Sequence, residues 1–205
     1  MNQTQKEQYL ALLRKRLSEH RLRHSLGVME EAAELARIHG ANAEKAEIAG
    51  LLHDMTKEFS KEEHFRLFEK YAVPLDDNLR TNKNLWHAVS AACDVTETLG
   101  ITDPEIISAI RYHTTGRAQM PPLDAILYVA DLTEKNRDYS DVDFYRALAR
   151  EDLYKTAYLA MDWCMRDLEK RRLPVHRDMV LGHGELARRF PGVSEQSEKE
   201  RLHFN

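Results

Sequence analysis

An imidazole and a carboxylate stand side by side in the stretch Ala49-Gly50-Leu51-Leu52-His53-Asp54-Met55-Thr56-Lys57. If this stretch is helical, Asp54 and Lys57 are three apart and His53 and Lys57 four apart, so a carboxylate, an imidazole and a cation share one region of surface. Such a set is half of a metal and phosphate site. Taken alone it equally describes a buried, mutually hydrogen-bonded pair, since buried polar groups normally find partners. The other histidines bear on the choice. His24 lies in Arg21-Leu22-Arg23-His24-Ser25-Leu26, His87 in Leu85-Trp86-His87-Ala88-Val89 and His113 in Arg111-Tyr112-His113-Thr114-Thr115-Gly116. Asp131 ends the apolar run Ile126-Leu127-Tyr128-Val129-Ala130. An ionised carboxylate embedded there needs a cation or several donors, and a metal ion would supply the cation.

These groups must be carried by helices. Glu19 to Ile38 is amphipathic, with Leu22, Leu26, Val28, Met29, Ala32, Ala33 and Leu35 on the apolar face beside His24. Asn42 caps a helix expected from Ala43 to about Met55, with Glu44 suited to its first turn. Ser60 opens a helix to Tyr71, in which His64 has charged neighbours and reads as solvated surface. Leu85 to Leu99 carries His87, and Asp103-Pro104-Glu105 starts a helix that ends near His113. Thr114 and Thr115 then either cap that end or offer donors to a phosphate oxygen. Pro121-Pro122 starts the helix that reaches Asp131. Arg137 follows, as a bidentate phosphate clamp or an ordinary ion pair. A long helix from Asp141 to Lys170, broken near Arg150, bears a stripe including Tyr154, Met161, Trp163 and Leu168 that reads as core or dimer seam. Gln5 to Leu17 is a packing helix. From Pro191 onward the polar composition points to disorder or a frayed helix.

The order H, HD, H, H, D resembles the HD-domain metal-dependent phosphohydrolases. The arginine three residues before His24, LLHDMTK, HTTG from His113, and YVAD followed by Glu134 and Arg137 narrow the likeness to the YqeK family of symmetrical dinucleoside tetraphosphate hydrolases. The resemblance implies an all-α, single-domain HD helical bundle. Within it, 1–18 would be an N-terminal packing helix, 19–138 the HD core, 139–182 a C-terminal helix and nucleotide-side segment, and 183–205 a polar tail. It implies metal ligation by His24, His53, Asp54 and Asp131, with His87 and His113 completing a second metal site or donating to phosphate. Two imidazoles and two carboxylates suit a divalent transition metal, with iron expected first, manganese or cobalt otherwise, as one or two ions. Phosphate contacts fall to Arg21, Asp54, Met55, Thr56, Lys57, His87, His113, Thr114, Asp131 and Arg137, with Asp54 and Lys57 as the catalytic pair and His176 and Arg177 on the nucleotide side. The activity implied is symmetric cleavage of diadenosine tetraphosphate (Ap4A) to two ADP by metal-activated water. Another HD-type nucleotide phosphohydrolase, or a non-catalytic nucleotide-binding module, are the alternatives.

Composition bounds these readings. The 205 residues, 42% of them hydrophobic, suffice for one core. With 34 acidic against 30 basic side chains the net charge is -4, which provides no global field for nucleic acid. A small anionic substrate must therefore be held by local groups. No apolar run nears the roughly 20 residues that span a bilayer, and no signal-peptide pattern opens the chain, so a soluble cytoplasmic protein, with a homodimer allowed, is the expectation. Cys93 and Cys164 have neither CxxC spacing nor a partner in sequence and read as core. Walker-type glycine loops are missing, which disfavours kinases and ATPases.

Overall fold

Serine, asparagine and aspartate caps punctuate the chain much as their positions suggest. The structure, a computed structural model, describes residues 1–204. Among them lie α1 (Gln3–Arg16), α2 (Glu19–Ile38), α3 (Ala43–Leu52), α4 (Lys61–Lys70), α5 (Asp77–Thr81), α6 (Lys83–Leu99), α7 (Pro104–Tyr112), α8 (Pro122–Thr133), α9 (Val142–Glu151), α10 (Leu153–Lys170), α11 (Arg177–Arg189) and α12 (Glu195–Arg201), and no strand. Side-chain oxygens of Ser18, Asn42, Ser60 and Asp103 each accept a backbone N–H in the first turn of the helix they precede. The architecture is the all-α bundle expected.

At its centre α2, α3, α7 and α8 pack on one another, with α6 against α7 and α10 bridging α8, α9 and α11. Leu35, Leu51, Leu52, Met55, Ile110, Ile126 and Leu127 are fully buried in this core. Burial on that scale stabilises by about 1.5–3 kcal/mol for each large aliphatic side chain. One close approach decides where the functional groups fall. A Cβ on Gly50 would stand 2.8 Å from Met29 Cα and 2.9 Å from the Val28 carbonyl oxygen, so only glycine lets α3 lie this tightly on α2. His24 and His53 are thereby set opposite each other, ring centroids 5.2 Å apart. A second, smaller cluster of Phe68, Leu79 and Val89, flanked by Phe65 and Trp86, joins α4 and α5 to α6.

Two local expectations change, and two are refined. The HD helix ends at Leu52, and i→i−3 hydrogen bonds from Met55 to Leu52 and from Lys57 to Asp54 turn the following residues tightly inward. His64 is buried, not solvated, because α4 presents it on the same face as Leu67 and Phe68. The break in the last long helix falls at Asp152, whose side chain caps α10. The segment after Pro191, expected as disorder or a frayed helix, contains the short helix α12, tied down by ion pairs and an aromatic contact: Arg201 reaches Glu151 at 2.7 Å and Lys199 reaches Asp141 at 2.7 Å, with Phe204 edge-on to Phe144. No helix among the described residues is long and apolar enough to cross a membrane.

Candidate metal centre

Each expected ligand arrives at a helix end or on a buried helical face. His24 comes from the second turn of α2, His53 and Asp54 from the turn that follows α3, His87 from α6, His113 from the C-terminus of α7 and Asp131 from the last turns of α8. Main-chain carbonyls orient two of the rings. His53 Nδ1–H donates to the Gly50 carbonyl at 2.8 Å and His113 Nδ1–H to that of Ile110 at 2.7 Å, which leaves His53 Nε2 without a partner and His113 Nε2 free to meet His87 Nε2 at 3.1 Å. His24 Nδ1 is held instead by the buried Glu134 carboxylate at 3.2 Å, which in turn accepts the Asn136 backbone N–H at 2.7 Å. Glu134 fits because residue 27 is glycine: a Cβ there would stand 2.1 Å from Glu134 Oε2.

Asp54 divides its two oxygens between two halves of the site. Oδ2 faces His24 Nε2 at 3.8 Å and His53 Nε2 at 3.6 Å, with Arg21 Nη1 donating to it at 2.9 Å. Oδ1 faces His87 Nε2 at 3.2 Å, His113 Nε2 at 3.8 Å and Lys57 Nζ at 3.6 Å. Asp131 Oδ1 lies 3.1 Å from His24 Nε2 and accepts from Arg137 Nη2 at 2.6 Å. Two ligand-like triads result, His24–His53–Asp131 and His53–Asp54–His113, with the donor atoms of each within 4.8 Å of one another.

Three buried atoms here, His24 Nε2, His53 Nε2 and Asp54 Oδ1, have no hydrogen-bond partner. Orphaned acceptors clustered this closely are costly unless a cation sits among them. The donor set therefore fits a divalent transition metal. The charge states agree. Burial opposes ionisation of Asp54, yet His53, His87, Lys57 and His113 outweigh it and hold the carboxyl well below the ordinary range. Burial likewise opposes the charge on Asp131, and His24 and Arg137 overcome it. Desolvation lowers His53, and it pushes His113 down to about 4, so both present lone pairs at neutral pH. His24 alone moves up: burial works against its charge, but Asp131 raises it.

This cluster opens on a cavity of about 440 Å³. Of the residues expected to meet phosphate or nucleotide, Lys57, His87, His113, Thr114, Asp131, Arg137 and His176 line it. Arg21, Asp54, Met55, Thr56 and Arg177 do not: Arg21 holds Asp54, Asp54 is buried among the imidazoles, Met55 is fully buried core, Thr56 is buried with its hydroxyl on the His87 carbonyl, and Arg177 is exposed on α11. Tyr128, Trp163, Leu168, Pro174 and Met179 give the same cavity apolar and aromatic lining. Trp163, which reads as a seam residue in the sequence, is 47% exposed there.

A model of the HD domain family matches residues 21–136, which contain every one of the clustered ligands. The chain belongs to the HD domain family. Within it, the sequence is 40% identical over 181 residues to the Bacillus subtilis protein "Bis(5'-nucleosyl)-tetraphosphatase, symmetrical", covering 88% of this chain and 97% of that one. It is 35% identical over 177 residues to the Halalkalibacterium halodurans protein of the same description, covering 86% and 94%. A crystal structure from Clostridium acetobutylicum, described as a predicted HD superfamily hydrolase involved in NAD metabolism, superposes with a TM-score of 0.87 at 33% identity over 90% of this chain and 97% of that chain. The HD match places the site on a hydrolase scaffold, and Glu134, which holds His24 from behind, is the functional residue that ligand spacing alone does not reveal.

Proposed function

We propose that the protein hydrolyses diadenosine tetraphosphate symmetrically, releasing two ADP, in a reaction dependent on a divalent transition metal. The observation that carries this reading is the convergence of imidazole Nε2 and carboxylate atoms at a cavity that apolar and aromatic side chains also line. The relatives named as symmetrical bis(5'-nucleosyl)-tetraphosphatases support the substrate class. The choice of adenine belongs to the proposal. His24, His53, Asp54, Asp131 and His113 would hold one or two ions, iron first, with His87 as a further ligand or a phosphate donor. When bound, such an ion polarises phosphoryl oxygens and acidifies a coordinated water.

The chain's own groups do the rest. Lys57 Nζ, 3.0 Å from His87 Nε2, and Arg137, already anchored on Asp131, face the cavity and neutralise the polyphosphate. Asp54, kept ionised, orients both halves of the ligand set. Thr114, following His113 at the cavity wall, is placed to hydrogen-bond a phosphate oxygen. Trp163 and Tyr128 offer ring faces to a nucleobase, and His176 caps α11 at the cavity rim. Free Cys93 and Cys164 accord with a reducing, cytoplasmic setting.

The test is to strip the protein with chelator, restore iron, manganese or cobalt singly, and assay Ap4A beside AMP and cyclic AMP. Metal-restored turnover of Ap4A, abolished in His53→Ala/Asp54→Ala while the variant stays helical, is expected. Preferred turnover of either monophosphate would replace this reading with another HD-type phosphohydrolase.

A further inference from the structure

Behind the ligands lies a histidine that makes no contact with the cavity. His64 of α4 is 4% exposed and sits among Phe59, Phe68 and Trp86, with ring centroids 5.8–6.4 Å away. Its Nδ1 is 2.7 Å from Ser90 Oγ; Ser90 Oγ is 2.7 Å from Thr56 Oγ1; and Thr56 Oγ1 is 2.9 Å from the His87 carbonyl oxygen. Each hydroxyl has a single proton. The carbonyl can only accept, and Ser90 Oγ also lies 3.2 Å from it, so the Ser90 proton has two acceptors within reach. One direction puts a proton in each of the three shortest contacts: His64 Nδ1–H to Ser90, Ser90 to Thr56, Thr56 to His87 C=O.

The two ends of this chain are functional. Thr56 lies between Asp54 and Lys57 in the tight turn after α3, and the accepting carbonyl belongs to His87 itself. The distances that set Lys57 Nζ against His87 Nε2 and Asp54 Oδ1 against His87 Nε2, 3.0 and 3.2 Å, are spanned by this link. We infer that His64 is a positioning residue for the proposed hydrolysis, acting through Ser90 and Thr56 to hold the Asp54–Lys57 turn in register with His87. This role rests on the hydrolase reading. The chain also gives α4 and its aromatic cluster a purpose that packing alone leaves unused, since a phenylalanine would fill the same apolar pocket without placing a donor in it.

The experiment compares His64→Phe, which keeps an aromatic ring but removes the donor, with His64→Asn, which keeps an N–H near the place of Nδ1, and with Ser90→Ala. In metal-free wild type, nitrogen–proton correlation NMR of the histidine rings should show His64 protonated on Nδ1. With metal and Ap4A, His64→Phe should lower kcat about 10- to 100-fold at little change in KM, as expected when reacting groups shift by a fraction of an ångström to an ångström. His64→Asn should recover most of the loss. Ser90→Ala should match His64→Phe, and the double variant should lose no more than either alone. If His64→Phe does not fold, Ser90→Ala with the tautomer measurement decides. A ring protonated on Nε2, or kcat in the folded donor-less variants within about twofold of wild type, overturns the inference. Wild type that yields no product from Ap4A would instead defeat the hydrolase reading; amide exchange at Thr56 and Lys57 then judges the link, faster in His64→Phe if it holds the turn and unchanged if it does not.

Discussion

Glu134 Oε1 stands 3.2 Å behind His24 Nδ1 and keeps Nε2 directed at Asp131 and Asp54. Glu134→Gln is therefore expected to weaken metal binding about 10- to 100-fold without unfolding the protein, measured by competition with a chromogenic chelator. A second prediction concerns protons. Burial pushes both His64 and His113 from 6.5 down to about 4. Between those values the unfolded chain binds more protons than the native one, so stability present above pH 6.5 is lost as pH falls. The metal-free protein should show a falling Tm from pH 7 to pH 5, and His64→Phe should flatten that fall; an equal slope in the two proteins would refute the assignment. At this scale the clustering of His24, His53, Asp54, His87, His113 and Asp131 was legible only from their order along the chain, because any one imidazole or carboxylate in an apolar run equally reads as a buried, hydrogen-bonded group. His64 was not. Its sequence neighbours Lys61, Glu62, Glu63 and Arg66 are charged, while the signal that mattered was Leu67 and Phe68 three and four residues on, which place it on the buried face. Thr56 and Met55 likewise stand beside chemistry in sequence yet support it from behind.

Helices deliver these groups, and their contacts set the tolerances. A methyl group on Gly50 would press on the Met29 backbone at 2.8 Å, so Gly50→Ala should force α3 away from α2. The expected cost is about 1–3 kcal/mol by denaturant unfolding, with weakened metal binding because His53 leaves its place opposite His24. Retention of both stability and affinity would show that the close approach is not required. Helix limits were legible where a cap marked them, as at Asn42, Ser60 and Asp103. The end of α3 was hidden, since the apolar run continues through Met55 while the backbone changes to i→i−3 bonding after Leu52. That change is what turns Asp54 inward with an oxygen toward each half of the site. The terminal helix α12 was legible only as disorder or a frayed helix for the opposite reason: its attachment depends on Lys199 and Arg201 finding Asp141 and Glu151, carboxylates at least fifty residues away in the chain.

Across the whole molecule, one cavity gathers cationic and ligand residues together with aromatic ones. Tyr128 of α8, Tyr139 after it and Trp163 of α10 are the aromatic lining, and Trp163 is the most exposed of these rings. Trp163→Ala should raise KM for Ap4A about 5- to 100-fold, the scale of one lost base–aromatic stack, with metal affinity unchanged; an unaltered KM would take Trp163 out of substrate binding. This division of labour was only partly visible in sequence, where Trp163 reads as a seam residue because the helical period that marks a buried stripe also marks a cavity wall. The central claim is that these two sets of residues cooperate in a metal-dependent cut at the middle of a dinucleoside tetraphosphate. The measurement that tests it most directly is chromatographic resolution of the products formed from Ap4A by the metal-restored protein in heavy-oxygen water. ADP as the sole nucleotide product, with label in one of every two molecules, is the predicted result; ATP with AMP, or no product while metal is bound, would contradict it.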